Sequence, residues 1–209
     1  QTLAAMSPNA RNYEDLMTIV ERLNIPYKEK EETFRRTVFN ILTTNVDAHI
    51  RNFSFMMEEG GEWHITPAYD LTFSCFNPGN KFDPAHYLRI GGKTIDISYE
   101  DLMEFGKRFR IANPNEIIQQ TADCVAQFRP VAKDIGVEDY WIDKIEEHFA
   151  EKSPKMLSML SGYKPLIFNY IIEEKGIAIN NLHWTELGNG AMRLEAEING
   201  TPFRATFAR

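Results

Sequence analysis

Asn45-Val46-Asp47-Ala48-His49-Ile50-Arg51-Asn52, followed a short way on by Ala68-Tyr69-Asp70-Leu71, is the stretch on which the reading of this chain turns. It joins three side-chain types that phosphoryl transfer requires. One carboxylate orients the attacking hydroxyl, and an amide oxygen and a second carboxylate hold magnesium beside the terminal phosphates of a nucleotide. Asp47, Asn52 and Asp70 are of those types, in that order.

The spacing has a mechanical reason. Asp47 precedes Asn52 by the interval that brings a base and a metal-binding amide under one phosphate in a catalytic loop. Phe53 to Met57 is rich in β-formers, Glu58-Glu59-Gly60-Gly61 supplies a turn, and Glu62 to Thr66 resumes an extended pattern with Trp63 and Ile65 on one face. This predicts a hairpin. Pro67 cannot donate to a strand ladder and closes the second strand, so Asp70 should return alongside Asn52. An Asp and an Asn five apart are weak evidence by themselves, because both types also serve as turn and cap residues. The second aspartate and the hairpin strengthen the pattern, as does the rigid apolar helix that leads into the loop.

The runs FNILTTNVDAHIRNFSFMM (39–57) and WHITPAYDL (63–71) together resemble the HipA-type serine/threonine kinases, the toxin components of bacterial toxin–antitoxin pairs associated with persistence. The signature of that family runs Asp-x-His-x-Lys-Asn-Phe-Ser and then Pro-x-Tyr-Asp-Leu. Arg51 stands where the family usually has Lys, keeping the charge but changing its geometry. The resemblance covers about residues 10 to 162. It implies a kinase C-terminal lobe using ATP and Mg2+, with Asp47 as catalytic base and Asn52 and Asp70 as metal ligands. It also implies a protein substrate such as an aminoacyl-tRNA synthetase, and neutralisation by a helix-turn-helix antitoxin.

His49 and Arg51 belong to the same candidate catalytic group. His49 is read as bracing the loop by hydrogen bonding in preference to transferring protons itself. Arg51 could contact the transferring phosphate, pair with Asp47, or be a solvated surface arginine. The other histidines, His64, His86, His148 and His183, show no ligand spacing along the sequence.

A kinase also needs a glycine-rich loop and a strand lysine over the phosphates. Residues 1 to 44 contain no glycine, and their only lysines are Lys28 and Lys30. The expectation is a half-site, inactive alone, whose N-terminal lobe was removed or is a separate chain. The initial Gln1 fits a fragment or a processed protein. Gly91-Gly92-Lys93-Thr94 superficially matches a phosphate loop, but Tyr87 stands where that pattern demands Gly.

The chain has 209 residues, 43% of them hydrophobic and 25% charged, which is enough for a sizeable core in one or two domains. The absence of a membrane-length apolar run or signal-peptide pattern points to the cytoplasm. Cys75 and Cys124 are expected as reduced thiols. The net charge of -7 argues against direct nucleic-acid binding, and the absence of a basic membrane-facing patch counts against a lipid kinase.

The predicted fold is α+β and mainly helical, with residues 1–162 as the lobe. Asn12 with Asp15 opens a helix running to Pro26, and Glu29 to about Thr44 forms a second with Phe34, Val38, Ile41 and Leu42 on one stripe. Thr72 to Thr94 would be an activation segment or a long surface loop. Ser98 with Asp101 opens a helix bearing Leu102, Phe105 and Phe109. Asn113-Pro114 opens one reaching Phe128, and a third starts near Glu138 with Trp141, Ile145 and Phe149 inward. Ser153-Pro154 opens a short last helix.

Residues 163–209 read as a small appendage, a helix ended by Gly176 and then a β-meander with turns at Asn189-Gly190 and Asn199-Gly200. Alternative functions are a small-molecule or lipid kinase, which would share the same three residues, and a non-catalytic binding module.

Overall fold

The computed structural model describes residues 1–75, 85–152, 179–187, 191–198 and 201–207; the side chains of 147, 148, 150–152 and the last three segments are not described. The chain divides into two compact units, Gln1–Gly162 and Tyr163–Arg209. The fold is α+β. About half of the first unit's described residues are helical, joined by a small two-stranded antiparallel sheet.

In the first unit, a single turn α1 (Leu3–Met6) precedes α2 (Tyr13–Arg22) and α3 (Tyr27–Leu42). The Asp15 carboxylate accepts the Asn12 backbone N–H at 3.1 Å, which fixes the start of α2 as the sequence pattern requires. Pro26 lies just outside α3, where its missing N–H removes no helical bond, so the helix starts two residues earlier than the Glu29 expected from the apolar stripe. That stripe is the core: Phe34, Val38 and Leu42 are fully buried, and α3 packs on α2 and on α5 (Pro114–Val125).

The hairpin forms as β1 (Phe55–Met57) and β2 (Trp63–Ile65), antiparallel, with Met57 opposite Trp63. Beyond Ile65 the same register continues by one bond, the Thr66 N–H donating to the Ser54 carbonyl at 3.0 Å. Ser98 caps α4 (Tyr99–Arg108) by accepting the Asp101 N–H at 3.2 Å, and α4 packs on α5 through Gly106. A Cβ at Gly106 would sit 2.6 Å from Pro114 Cβ and 3.1 Å from the Phe34 ring, so only glycine permits this approach.

Two expectations are corrected. The helix from Pro114 stops at Val125, and Phe128 begins a separate helix α6 (Phe128–Asp134). Pro130 has no N–H to give a preceding carbonyl, so one continuous helix could not carry it, whereas the first turn of a new one can. In α7 (Asp139–Lys152) Trp141 is not inward but 41% exposed, its ring edge-on to Tyr140 at 5.1 Å. Ile142 takes the fully buried position instead, one residue later in phase.

Residues 86–94 are not a free surface loop. Leu88 and Ile90 are buried, Arg89 bridges to Asn12, and Gly91-Gly92 make a two-residue turn at φ 57° and 83° closed by Ile90 and Lys93. Lys93 pairs with Asp101 at 2.8 Å. Residues 76–84 of the suggested activation segment lie outside the described residues.

The second unit contains an antiparallel meander of β3 (Ile179–Leu187), β4 (Ala191–Ile198) and β5 (Thr201–Phe207) in that order, with a register shift between Asn180 and His183. The helix expected before it, the residues of its expected turns, and the helix expected at Ser153-Pro154 lie outside the described residues. Among the described residues no helix is long and apolar enough to cross a membrane.

Candidate active site

The loop between α3 and β1 is held from three sides. At its start Thr44 is buried with φ 49°, a left-handed conformation that a β-branched residue adopts only under strain of order 1–3 kcal/mol. The Thr44 hydroxyl is buried without a partner. The strain turns the chain abruptly away from α3.

Asn45, 1% exposed, is the hub of a buried polar network. Its amide donates to Asn40 Oδ1 at 3.0 Å and to the Asp70 carbonyl at 3.2 Å, while its Oδ1 accepts from the Ser74 hydroxyl at 3.3 Å. Ser74 Oγ in turn accepts the backbone N–H of Asp47 at 3.1 Å. Asn40, on the last turn of α3, donates to the phenolic oxygen of Tyr13 at 3.2 Å. A chain of buried amides thus connects α2, α3, the Asp47 backbone and the Asp70 backbone.

The second support is the segment before the Gly91-Gly92 turn. Tyr87 N–H donates to the Val46 carbonyl at 2.8 Å, and the His86 ring hydrogen-bonds the Asn45 backbone. Burial holds the His86 imidazole neutral, its pKa lowered to about 4 against the opposing pull of that backbone contact. The unfolded chain therefore binds this proton where the folded chain does not. The stability contributed by His86 is complete above about pH 6.5 and is lost as pH falls towards 4, by about 3 kcal/mol at 1.36 kcal/mol per unit. Urea denaturation at pH 7.5 and pH 5 should show this loss in the parent chain and a smaller pH effect in His86→Gln. Equal pH dependence in both would remove His86 as the source.

The third support is the hairpin. Tyr69 OH donates to the Arg51 carbonyl at 2.6 Å and lies 2.6 Å from Ser54 Oγ, clamping the entry of β1 to the chain leaving β2. Across that clamp Asn52 Nδ2 donates to Asp70 Oδ2 at 2.8 Å. Asp70 has φ 56°, which aspartate tolerates better than most residues and which turns its carboxylate back towards the loop.

Asp47 and Arg51 are exposed. His49 Nδ1 accepts the Arg51 N–H at 3.3 Å, and its ring packs edge-on to Tyr87 at 5.9 Å. Asn40, Asn45, Asn52, Asp70 and Tyr69 also line a cavity of about 10 Å³, room for a water or an ion but not for a nucleotide. The carboxylate of Asp70 and the amide oxygen that Asn52 would present with its amide turned end for end are hard donors of the kind magnesium takes. Sequence reasoning did not single out Asn40, Asn45, Ser74 or Tyr69. Asn45 and Tyr69 lie inside the quoted motif, but nothing in their residue type announces a buried hub or a clamp.

Residues 1–128 match the family described as the HipA-like C-terminal domain, and the chain belongs to it. It is 23% identical over 154 residues to a Sinorhizobium fredii protein named "Putative kinase Y4mE", covering 69% of this chain and 35% of that one. It is 25% identical over 126 residues to a Haemophilus influenzae protein named "Putative kinase", covering 54% of this chain and 36% of the other. The chain spans about a third of the length of these curated relatives.

Proposed function

We propose that this chain is the C-terminal catalytic lobe of an ATP- and Mg2+-dependent protein serine/threonine kinase of the HipA type. The observation that carries the reading is the 2.8 Å contact between Asn52 and Asp70, two metal-ligand types 18 positions apart, beside a loop whose Asp47 amide is fixed through Ser74. Asp47 orients the substrate hydroxyl and accepts its proton, and Asn52 and Asp70 would hold Mg2+. When bound, the ion supplies charge neutralisation on the nucleotide's oxygens. His49 braces the loop through the Arg51 amide, and Arg51, exposed in the same loop as Asp47, is placed to meet a phosphate oxygen.

The phosphate-covering glycine loop and lysine would come from a separate lobe, since residues 1 to 44 offer neither. The relatives' names support a kinase, and the family implies a protein acceptor, such as an aminoacyl-tRNA synthetase, and a helix-turn-helix antitoxin partner.

The test is the Mg2+ dependence of phosphoryl transfer from ATP by a protein joining this chain to its nucleotide-binding lobe. Asp70→Asn should raise the Mg2+ concentration needed for half-maximal rate by more than about tenfold, because a charged ligand becomes neutral at almost constant shape. An unchanged Mg2+ requirement would separate Asp70 from the metal. Transfer of label to a lipid or small molecule in place of protein would replace the acceptor class.

A further inference from the structure

We propose that Glu58, Glu62 and His64, at the tip of the hairpin, form a binding site for a divalent transition-metal ion of the zinc type, separate from Asn52 and Asp70. The site does not depend on the chain being a kinase.

Strand register assembles the three side chains. Glu58 N–H donates to the Glu62 carbonyl at 2.9 Å, extending by one pair the ladder in which Met57 faces Trp63 and Met56 faces His64. Glu58 and Glu62 are therefore opposite one another, and His64, two residues beyond Glu62, is on the same face. Two carboxylates placed directly across a ladder repel unless a cation lies between them. One candidate ligand atom from each residue lies within 4.8 Å of the other two, and His64 Nε2 is already 3.6 Å from Glu58 Oε1. Tetrahedral zinc with ligands near 2.1 Å separates its donors by about 3.4 Å. Glu58 is mostly exposed, so a rotamer change covers the remaining distance.

The imidazole is prepared for a metal from its other side. Glu29, in the first turn of α3, places Oε1 2.7 Å from His64 Nδ1, and its Oε2 accepts the Ile65 N–H at 2.8 Å. A carboxylate on Nδ1 fixes the tautomer whose Nε2 carries a lone pair, which is the outer-shell arrangement of metal-binding histidines. His64 Nε2 is cut off from solvent and has no hydrogen-bond partner. A nitrogen lone pair with two carboxylates and an open fourth position suits zinc, cobalt or nickel over magnesium and calcium, which take oxygen alone. A bound ion would pin the hairpin tip to α3.

The experiment is calorimetric titration of Zn2+ into the 209-residue chain in millimolar Mg2+, which occupies oxygen-only sites. One Zn2+ should bind per chain with micromolar or tighter affinity. His64→Gln should weaken it more than about 100-fold, and Glu29→Gln, which touches no metal, by about 10–100-fold. Circular dichroism of each variant identifies any loss due to misfolding, and Glu62→Gln, at an exposed turn, provides a second ligand deletion that leaves the fold intact. Co2+ should give the intense visible bands of a tetrahedral site in the parent and lose them in His64→Gln. Millimolar affinity in the parent, or folded His64→Gln and Glu62→Gln chains that bind as the parent does, would overturn the site.

Discussion

Replacing Asp47 by Asn is expected to lower kcat for phosphoryl transfer by about 10²–10⁴-fold, the usual contribution of a positioned general base, with little change in KM for ATP. The substitution is almost isosteric, so what disappears is the ability to accept a proton. Its structural cost should be small, because the loop is held at Asp47 by the backbone N–H on Ser74 Oγ, and Asn keeps that donor. Thermal unfolding of the variant should match that of the parent. A loss of less than about tenfold in kcat, in a variant that unfolds like the parent, would remove Asp47 from the role of base and leave its carboxylate as an ordinary exposed loop residue.

The largest expected stability effect lies away from the site. Phe34 is fully buried, stacks on Phe105 at 5.9 Å, and fills the space that Gly106 and Pro114 leave where α3, α4 and α5 converge. Phe34→Ala should cost about 3–5 kcal/mol, since such a cavity collapses only in part. Against the roughly 5–15 kcal/mol of a whole domain, that loss should move the urea midpoint far to the left or abolish the cooperative transition. A shift equivalent to less than about 1.5 kcal/mol would mean that the three helices repack around the gap. Because α3 ends at Leu42 and leads directly into Thr44 and Asn45, a loosened α3 should disturb the loop as well.

The parts of the fold that could be read from residues alone were those fixed by local chemistry. Asn12 with Asp15, Ser98 with Asp101, and Asn113-Pro114 each mark a helix start where the structure has one, because capping is settled within four residues. The hairpin was equally legible from its turn, and with it the meeting of Asn52 and Asp70. What escaped depends on partners remote in sequence. Trp141 or Ile142 can each lead the inward face of α7, and only the packing against other elements decides. Asn40 and Asn45 look like ordinary polar residues until burial makes each of their hydrogen bonds obligatory. His64 showed no ligand spacing because its companions include Glu29, 35 residues away, and a cross-strand Glu58.

The two-stranded ribbon between Asn52 and Asp70 behaves as a calliper. Its jaws are Asn52 and Asp70, which meet at 2.8 Å, and its arm length is set by how many residue pairs lie between jaws and tip. Lengthening both arms by one residue each moves the tip outward and leaves the jaws opposed. Inserting a single residue into one arm reverses which side of the ribbon every later side chain faces, and would carry Asp70 away from Asn52. Matched insertions in the two arms should therefore keep Asn52 opposite Asp70, whatever chemistry the jaws perform.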